Sequence, residues 1–158
     1  MSKRKAYRPK LVANTLLMLD LGSPLTDAER THLGARARLH YAAFRAGQAT
    51  ERNAEDLANL LNIIAVIATT YSNRGKELAL RVWQDAENAL RRSQSHNATH
   101  GTWLLDGAGL EAFAQALDLF ETMLTGLTLQ QYTKATLIAD QMQRDEASNP
   151  LSPMEEAA

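Results

Sequence analysis

The residues best suited to proton transfer or metal ligation are four histidines, His32, His40, His96 and His100. His96 and His100 are four apart, a spacing that puts two ligands on one face when the segment is a regular helix. Asn97 and Gly101 instead predict a polar connection over residues 94–101, and the chain has no cysteine to complete a ligand set. The lack of cysteine also excludes disulfides, Cys-ligated zinc, iron–sulfur clusters and thiol catalysis. His40 falls on an apolar helical face with no carboxylate near it in sequence, the pattern of a satisfied core histidine. Gly107-Ala108-Gly109 has neither the Gly-Lys-Ser/Thr ending of a P-loop nor the third glycine of a dinucleotide fingerprint, so Asp106 reads as the cap of a new helix. Neither Gly-x-Ser-x-Gly nor His-Glu-x-x-His occurs. Glu121 borders an apolar stripe and is the carboxylate expected to be partly buried, but one carboxylate is not an acid–base pair. No catalytic, cofactor-binding or metal-ligating residue is therefore assigned, no cofactor is implied, and the chain reads as a non-enzyme.

Charge offers a second kind of chemistry. Net charge is −1 over 158 residues, yet residues 1–52 hold ten Lys/Arg against four Asp/Glu, and the remainder seven against fourteen. Such a dipolar chain attracts an acidic partner at one end, or a second copy head to tail. Lys3, Arg4, Lys5, Arg8 and Lys10 surround Tyr7, and an aromatic among basic residues can stack on a base while its neighbours bind phosphate. Arg36, Arg38 and Arg45 extend this set of candidate partner or phosphate contacts; Arg38 and Arg45 are expected on an outer side of their helix. The bland alternative is a solvated basic arm over residues 1–10.

These groups must be positioned by helices. Leu57, Leu60, Leu61, Ile64, Ile67, Ala68 and Tyr71 repeat at three- and four-residue spacing, with Ile63 and Val66 widening the apolar face, so this helix needs neighbours on more than one side. Thr26-Asp27-Ala28-Glu29 is a capping box that starts a helix running to about Ala46, with Gly47 its stop. Its inner face is Leu33, Ala37, His40, Tyr41 and Phe44. A helix over residues 76–95 is predicted on the stripe Leu78, Val82, Ala86, Ala89 and Leu90. The next, about 109–125, faces inward through Leu110, Phe113, Leu117, Phe120 and Leu124. A second capping box, Thr128 to Gln131, opens the last, with Tyr132, Ala135, Ala139 and Met142 inward and Leu137 and Ile138 off the stripe. Asn62 is a candidate for an interhelical hydrogen bond. The apolar stretch Leu11–Leu21 is too short to distinguish helix from an extended piece.

Forty-five per cent hydrophobic and 22% charged residues suit a folded single domain. The central apolar run is shorter than a bilayer span and is broken by Asn59 and Asn62, so a cytoplasmic protein with no membrane partner is expected. The fold expected is all-α: a compact bundle of about five helices over residues 11–147, with a basic arm at 1–10 and a disordered acidic tail at 148–158.

Lys3-Arg4-Lys5-Ala6-Tyr7-Arg8-Pro9-Lys10, the run Arg45-Ala46-Gly47-Gln48-Ala49-Thr50 with Leu57 and Leu61-Asn62-Ile63, and the hinge Leu127-Thr128-Leu129 resemble short uncharacterised proteins carried by phages and prophages of proteobacteria. The resemblance implies a mobile-element accessory protein in the bacterial cytoplasm. It would bind and block a host or anti-phage defence protein, in the manner of an anti-CRISPR protein. The alternative is a nucleic-acid-binding protein or transcriptional regulator using the basic first third. No recognition helix with its turn stands out for base readout.

Overall fold

The computed structural model describes residues 22–71 and 75–148. Among these the chain is five helices: α1 Asp27–Arg45, α2 Glu51–Thr70, α3 Lys76–His100, α4 Gly107–Leu124 and α5 Leu129–Ser148. The fold is an all-α bundle. The basic arm, Leu11–Leu21, the break at Ser72-Asn73-Arg74 and the tail from Asn149 lie outside the described residues.

Local chemistry sets the starts. Thr26 Oγ1 accepts the Glu29 N–H at 3.2 Å, and the Glu29 carboxylate accepts the Thr26 N–H at 2.7 Å. Thr50 and Asn53 repeat this reciprocity before α2, and Thr128 and Gln131 repeat it before α5. Asp106 Oδ1 accepts the Gly109 N–H at 2.6 Å and so caps α4.

α3 runs five residues past Ser95. The polar run Gln94–His100 stays helical until Gly101, whose φ of +71° is a conformation favoured by glycine alone. His96 and His100 are thus on a helix, not in a connection. The inward stripe is also turned. Leu78 is 60% exposed, and the buried positions are Ala79, Ala86, Ala89 and Ser93. Small side chains there let α4 come close, and a Cβ on Gly109 would lie 3.1 Å from the Ala89 Cβ.

α1 to α4 form a ring in which each helix packs on the next and α4 returns to α1, while α5 packs on α2. Residues 34, 38 and 41 of α1 meet residues 121, 118 and 110 of α4 in descending order, so those two helices are antiparallel. α2 touches all four other helices. This is why it is apolar on most sides: Leu57, Leu61, Ile64 and Ile67 are at most 2% exposed. Phe44, Phe113, Leu117 and Leu124 fill the space around it.

One feature is not helical. The Leu25 N–H donates to the Leu127 carbonyl at 3.1 Å, and the Leu129 N–H donates to the Ser23 carbonyl at 3.0 Å. This antiparallel bridge at Pro24 and Thr128 ties the chain before α1 to the start of α5 and buries Leu25 and Leu127.

Candidate functional site

Polar side chains converge where the bundle leaves a gap. A groove of about 230 Å³ runs between α1 and α5, with α2 as its floor. α1 supplies Leu33, Arg36, Ala37 and His40; α2 supplies Asp56, Asn59, Leu60 and Ile63; α5 supplies Tyr132, Thr136 and Asp140. α5 packs on α2, outside the ring of α1 to α4, and this leaves the gap between α1 and α5.

His40 is held by α2. Its Nδ1 lies 3.3 Å from Asn53 Nδ2 and 3.4 Å from Asp56 Oδ2. Asn53 Oδ1 already accepts from the Thr50 N–H and hydroxyl, at 2.9 and 2.8 Å. The amide orientation is therefore fixed, and its N–H points at the imidazole. In the neutral ring Nδ1 accepts that bond; it cannot at the same time donate to Asp56. This is a satisfied histidine, as the sequence predicts, but its surroundings correct that reading in one respect. A carboxylate does lie beside it, brought by the next helix.

Asn59 Nδ2 donates to Asp140 Oδ1 at 3.2 Å, while Asn59 Oδ1 is buried with no partner among the described residues. The interhelical amides of α2 among the described residues are thus Asn53 and Asn59, rather than Asn62. Burial raises the Tyr132 hydroxyl above the ordinary phenol range, so the ring stays neutral and lends the groove a donor. Thr136 Oγ1 donates to the Tyr132 carbonyl at 3.0 Å, so it is not poised against His40. Among the described residues no nucleophile–base hydrogen bond forms in the groove.

The described basic candidates, Arg36, Arg38 and Arg45, are not brought onto one face. Lys3, Arg4, Lys5, Arg8 and Lys10 lie outside the described residues. Arg38, expected on an outer side, is bound to α4: Nε donates to Glu121 Oε1 at 2.6 Å and Nη2 to Asp118 Oδ1 at 2.8 Å. Those two hydrogen bonds raise its pKa further. Arg36 lines the groove, whereas Arg45 is exposed at the end of α1. Nine residues of helix separate those two, two and a half turns, so they face opposite ways. Glu121 is half-buried as expected, and its partner is Arg38. Arg91 and Arg92 are engaged by Glu87 and Asp106.

His96 and His100 have ring centroids 4.5 Å apart on α3, and His96 Nε2 lies 3.3 Å from Thr102 Oγ1. Among the described residues no group of three or more His, Asp or Glu gathers as a metal site. Met142, expected inward, is 38% exposed, as is Ile138; Leu137 is 64% exposed. No described helix is long and apolar enough to cross a membrane. Compared with known proteins, the chain matches no family model, no curated protein and no solved structure.

The groove could not be read from one dimension. Its polar members, Asp56, Asn59 and Asp140, come from two helices far apart in sequence. The only signal was that Asn59 interrupts the apolar run that begins at Leu57.

Proposed function

We propose that this protein acts by binding another protein through the outer side of α5, without catalysing a reaction. The observation that carries this reading is the pair Ile138 and Met142. They stand one turn apart on the same flank of α5, both 38% exposed. α5 packs on α2 and leaves this flank in water. A partner that covers the two side chains gains on the order of 1–2 kcal/mol from each. Resemblance to phage and prophage accessory proteins supports a partner in the cytoplasm of a bacterial host, either a host factor or an anti-phage defence protein. The groove supports the same reading: its histidine is already satisfied by Asn53.

The test is capture of host proteins on the immobilised full chain, comparing wild type with Ile138→Glu/Met142→Glu. A protein retained by wild type and lost with the variant, whose helix content and melting midpoint are unchanged, supports the proposal. Equal retention by both, or none by either, overturns it. The nucleic-acid alternative predicts micromolar binding near 150 mM salt that weakens steeply as salt rises.

A further inference from the structure

The groove between α1 and α5 has apolar rims as well as polar walls. Leu39 is 68% exposed and Leu137 is 64% exposed. Leu39 follows Arg36 by three residues and adjoins His40; Leu137 adjoins Thr136 and precedes Asp140 by three. Helical geometry therefore puts each at the outer edge of its own wall of the groove. Ile138 is a further 100° round α5 from Leu137, on the opposite flank from the groove. The two adjacent apolar residues of α5 thus serve different surfaces.

The chain comes in beside the start of α5, about one turn before the groove begins at Tyr132. The Ser23 carbonyl accepts the N–H of Leu129, the first residue of α5, and Thr26 caps α1. Residue 22 is therefore placed beside the first turn of α5, one of the two helices that wall the groove, and four residues before the cap of α1. Just before it the sequence reads Leu11-Val12-Ala13-Asn14-Thr15-Leu16-Leu17-Met18-Leu19-Asp20-Leu21, seven large apolar residues with one charge. Along α1 the groove runs from Leu33 to His40, about 10 Å at the helical rise. From the start of α1 at Asp27 to His40 is about 20 Å at that rise, and eleven residues span about 16 Å as a helix and up to about 36 Å extended, so the reach is sufficient in a partly extended form.

We propose that the apolar side chains of Leu11–Leu21 cover the groove between α1 and α5, in the same chain, against Leu39 and Leu137. This leaves the Ile138–Met142 flank to the partner, and it stands whether or not that partner is found.

The chain has no cysteine, so single thiols report cleanly. Full-length Leu17→Cys is paired in turn with Leu39→Cys, Leu137→Cys and Ile138→Cys and treated with a short bismaleimide at low protein concentration. The expected result is linked monomer with Leu39→Cys and Leu137→Cys, at a yield several-fold above that with Ile138→Cys. Links between chains, which mean that a second copy fills the groove, overturn the proposal. So does equal yield at all three positions. As a second readout, the thiol of Leu137→Cys is labelled several-fold faster when Leu16→Asp/Leu17→Asp is added, while that of Ile138→Cys is not. An unchanged rate at Leu137→Cys overturns the proposal, including where a cross-link fails to form for lack of geometry.

Discussion

Arg38 Nε donates to Glu121 Oε1 at 2.6 Å from the neighbouring helix, directly beside a position that has no side chain. A Cβ on Gly34 would lie 2.9 Å from that same oxygen and 3.2 Å from Glu121 Cγ. Glycine within a helix costs about 0.5–1 kcal/mol relative to alanine. At Gly34 that loss gives the Glu121 carboxylate room to cross from α4 and meet the guanidinium one turn further along α1.

A double-mutant cycle measures the pair. Arg38→Ala and Glu121→Ala should show a coupling energy of about 0.5–1 kcal/mol in urea denaturation, because both side chains are only half-buried and water screens the pair. The coupling should shrink as salt is raised from 0.05 to about 0.5 M, through screening of the exposed charges. Coupling insensitive to salt would mean that packing, not charge, joins the two residues.

Substitution at Gly34 separates propensity from clearance. Gly34→Ala gains helix propensity of ~1 kcal/mol and loses part of the Arg38–Glu121 contact, so its stability should stay within about 1 kcal/mol of wild type. Gly34→Leu cannot be accommodated by moving the end of one carboxylate and should destabilise by about 1–3 kcal/mol. Denaturation midpoints of the two variants check the order.

The placement of α2 predicts where truncation hurts. Ile64 is fully buried among side chains of the surrounding helices, so Ile64→Ala should cost about 2–5 kcal/mol. Leu78→Ala, at a position the periodicity places inside but the structure leaves exposed, should change stability by less than about 0.5 kcal/mol. Equal losses at both sites would mean that Leu78 is covered in solution.

What was legible follows from how far each signal reaches along the chain. Caps are local: Thr26 with Glu29, Asp106 with Gly109 and Thr128 with Gln131 each lie three residues apart, and all form. The apolar spacing of α2 is equally local, and its central position follows from a face too wide for one neighbour. The extension of α3 over residues 96–100 was hidden because Ser, His and Asn are weak helix formers, and no local signal shows that nothing stops the helix before Gly101. Leu78 and Met142 fell on apolar periods that tertiary packing rotates by part of a turn. The groove was the least legible feature. His40 with Asn53 and Asn59 with Asp140 pair across different helices, as Arg38 does with Glu121 outside the groove, and spacing within one helix cannot choose among the many partners on offer.

The cap of α4 sets part of the response to acid. The Arg92 hydrogen bond and then the Gly109 N–H hold the Asp106 carboxyl below the usual carboxylate range. The native state therefore binds this proton less readily than the unfolded chain. Its contribution is complete above the ordinary Asp value, near 4, and is lost as pH falls towards the folded value. Asp106→Ala should cost about 1 kcal/mol at pH 7. It should also flatten the decline in stability below about pH 4. A variant with wild-type acid dependence would place the titrating groups elsewhere.

Asn59→Asp tests the polar floor of the groove with a single atom change. The amide N–H now bonded to Asp140 becomes an oxygen, so two carboxylates face each other across the α2–α5 contact, with Asp56 one turn away on the same helix. Removing that donor and adding a like charge in a part-buried site should destabilise by about 1–3 kcal/mol at neutral pH. Repulsion raises the folded-state pKa of the new pair, so the native variant takes up a proton more readily than its unfolded chain. The penalty is then small below about pH 4 and grows as pH rises through the raised folded value, the opposite sense to that at Asp106. Asn59→Leu removes the unpaired buried oxygen without adding charge and leaves Asp140 to water from the open groove, so it should lie within about 1 kcal/mol of wild type at every pH. If Asn59→Asp proved as stable as Asn59→Leu at pH 7, α5 would not be seated on α2 through this contact.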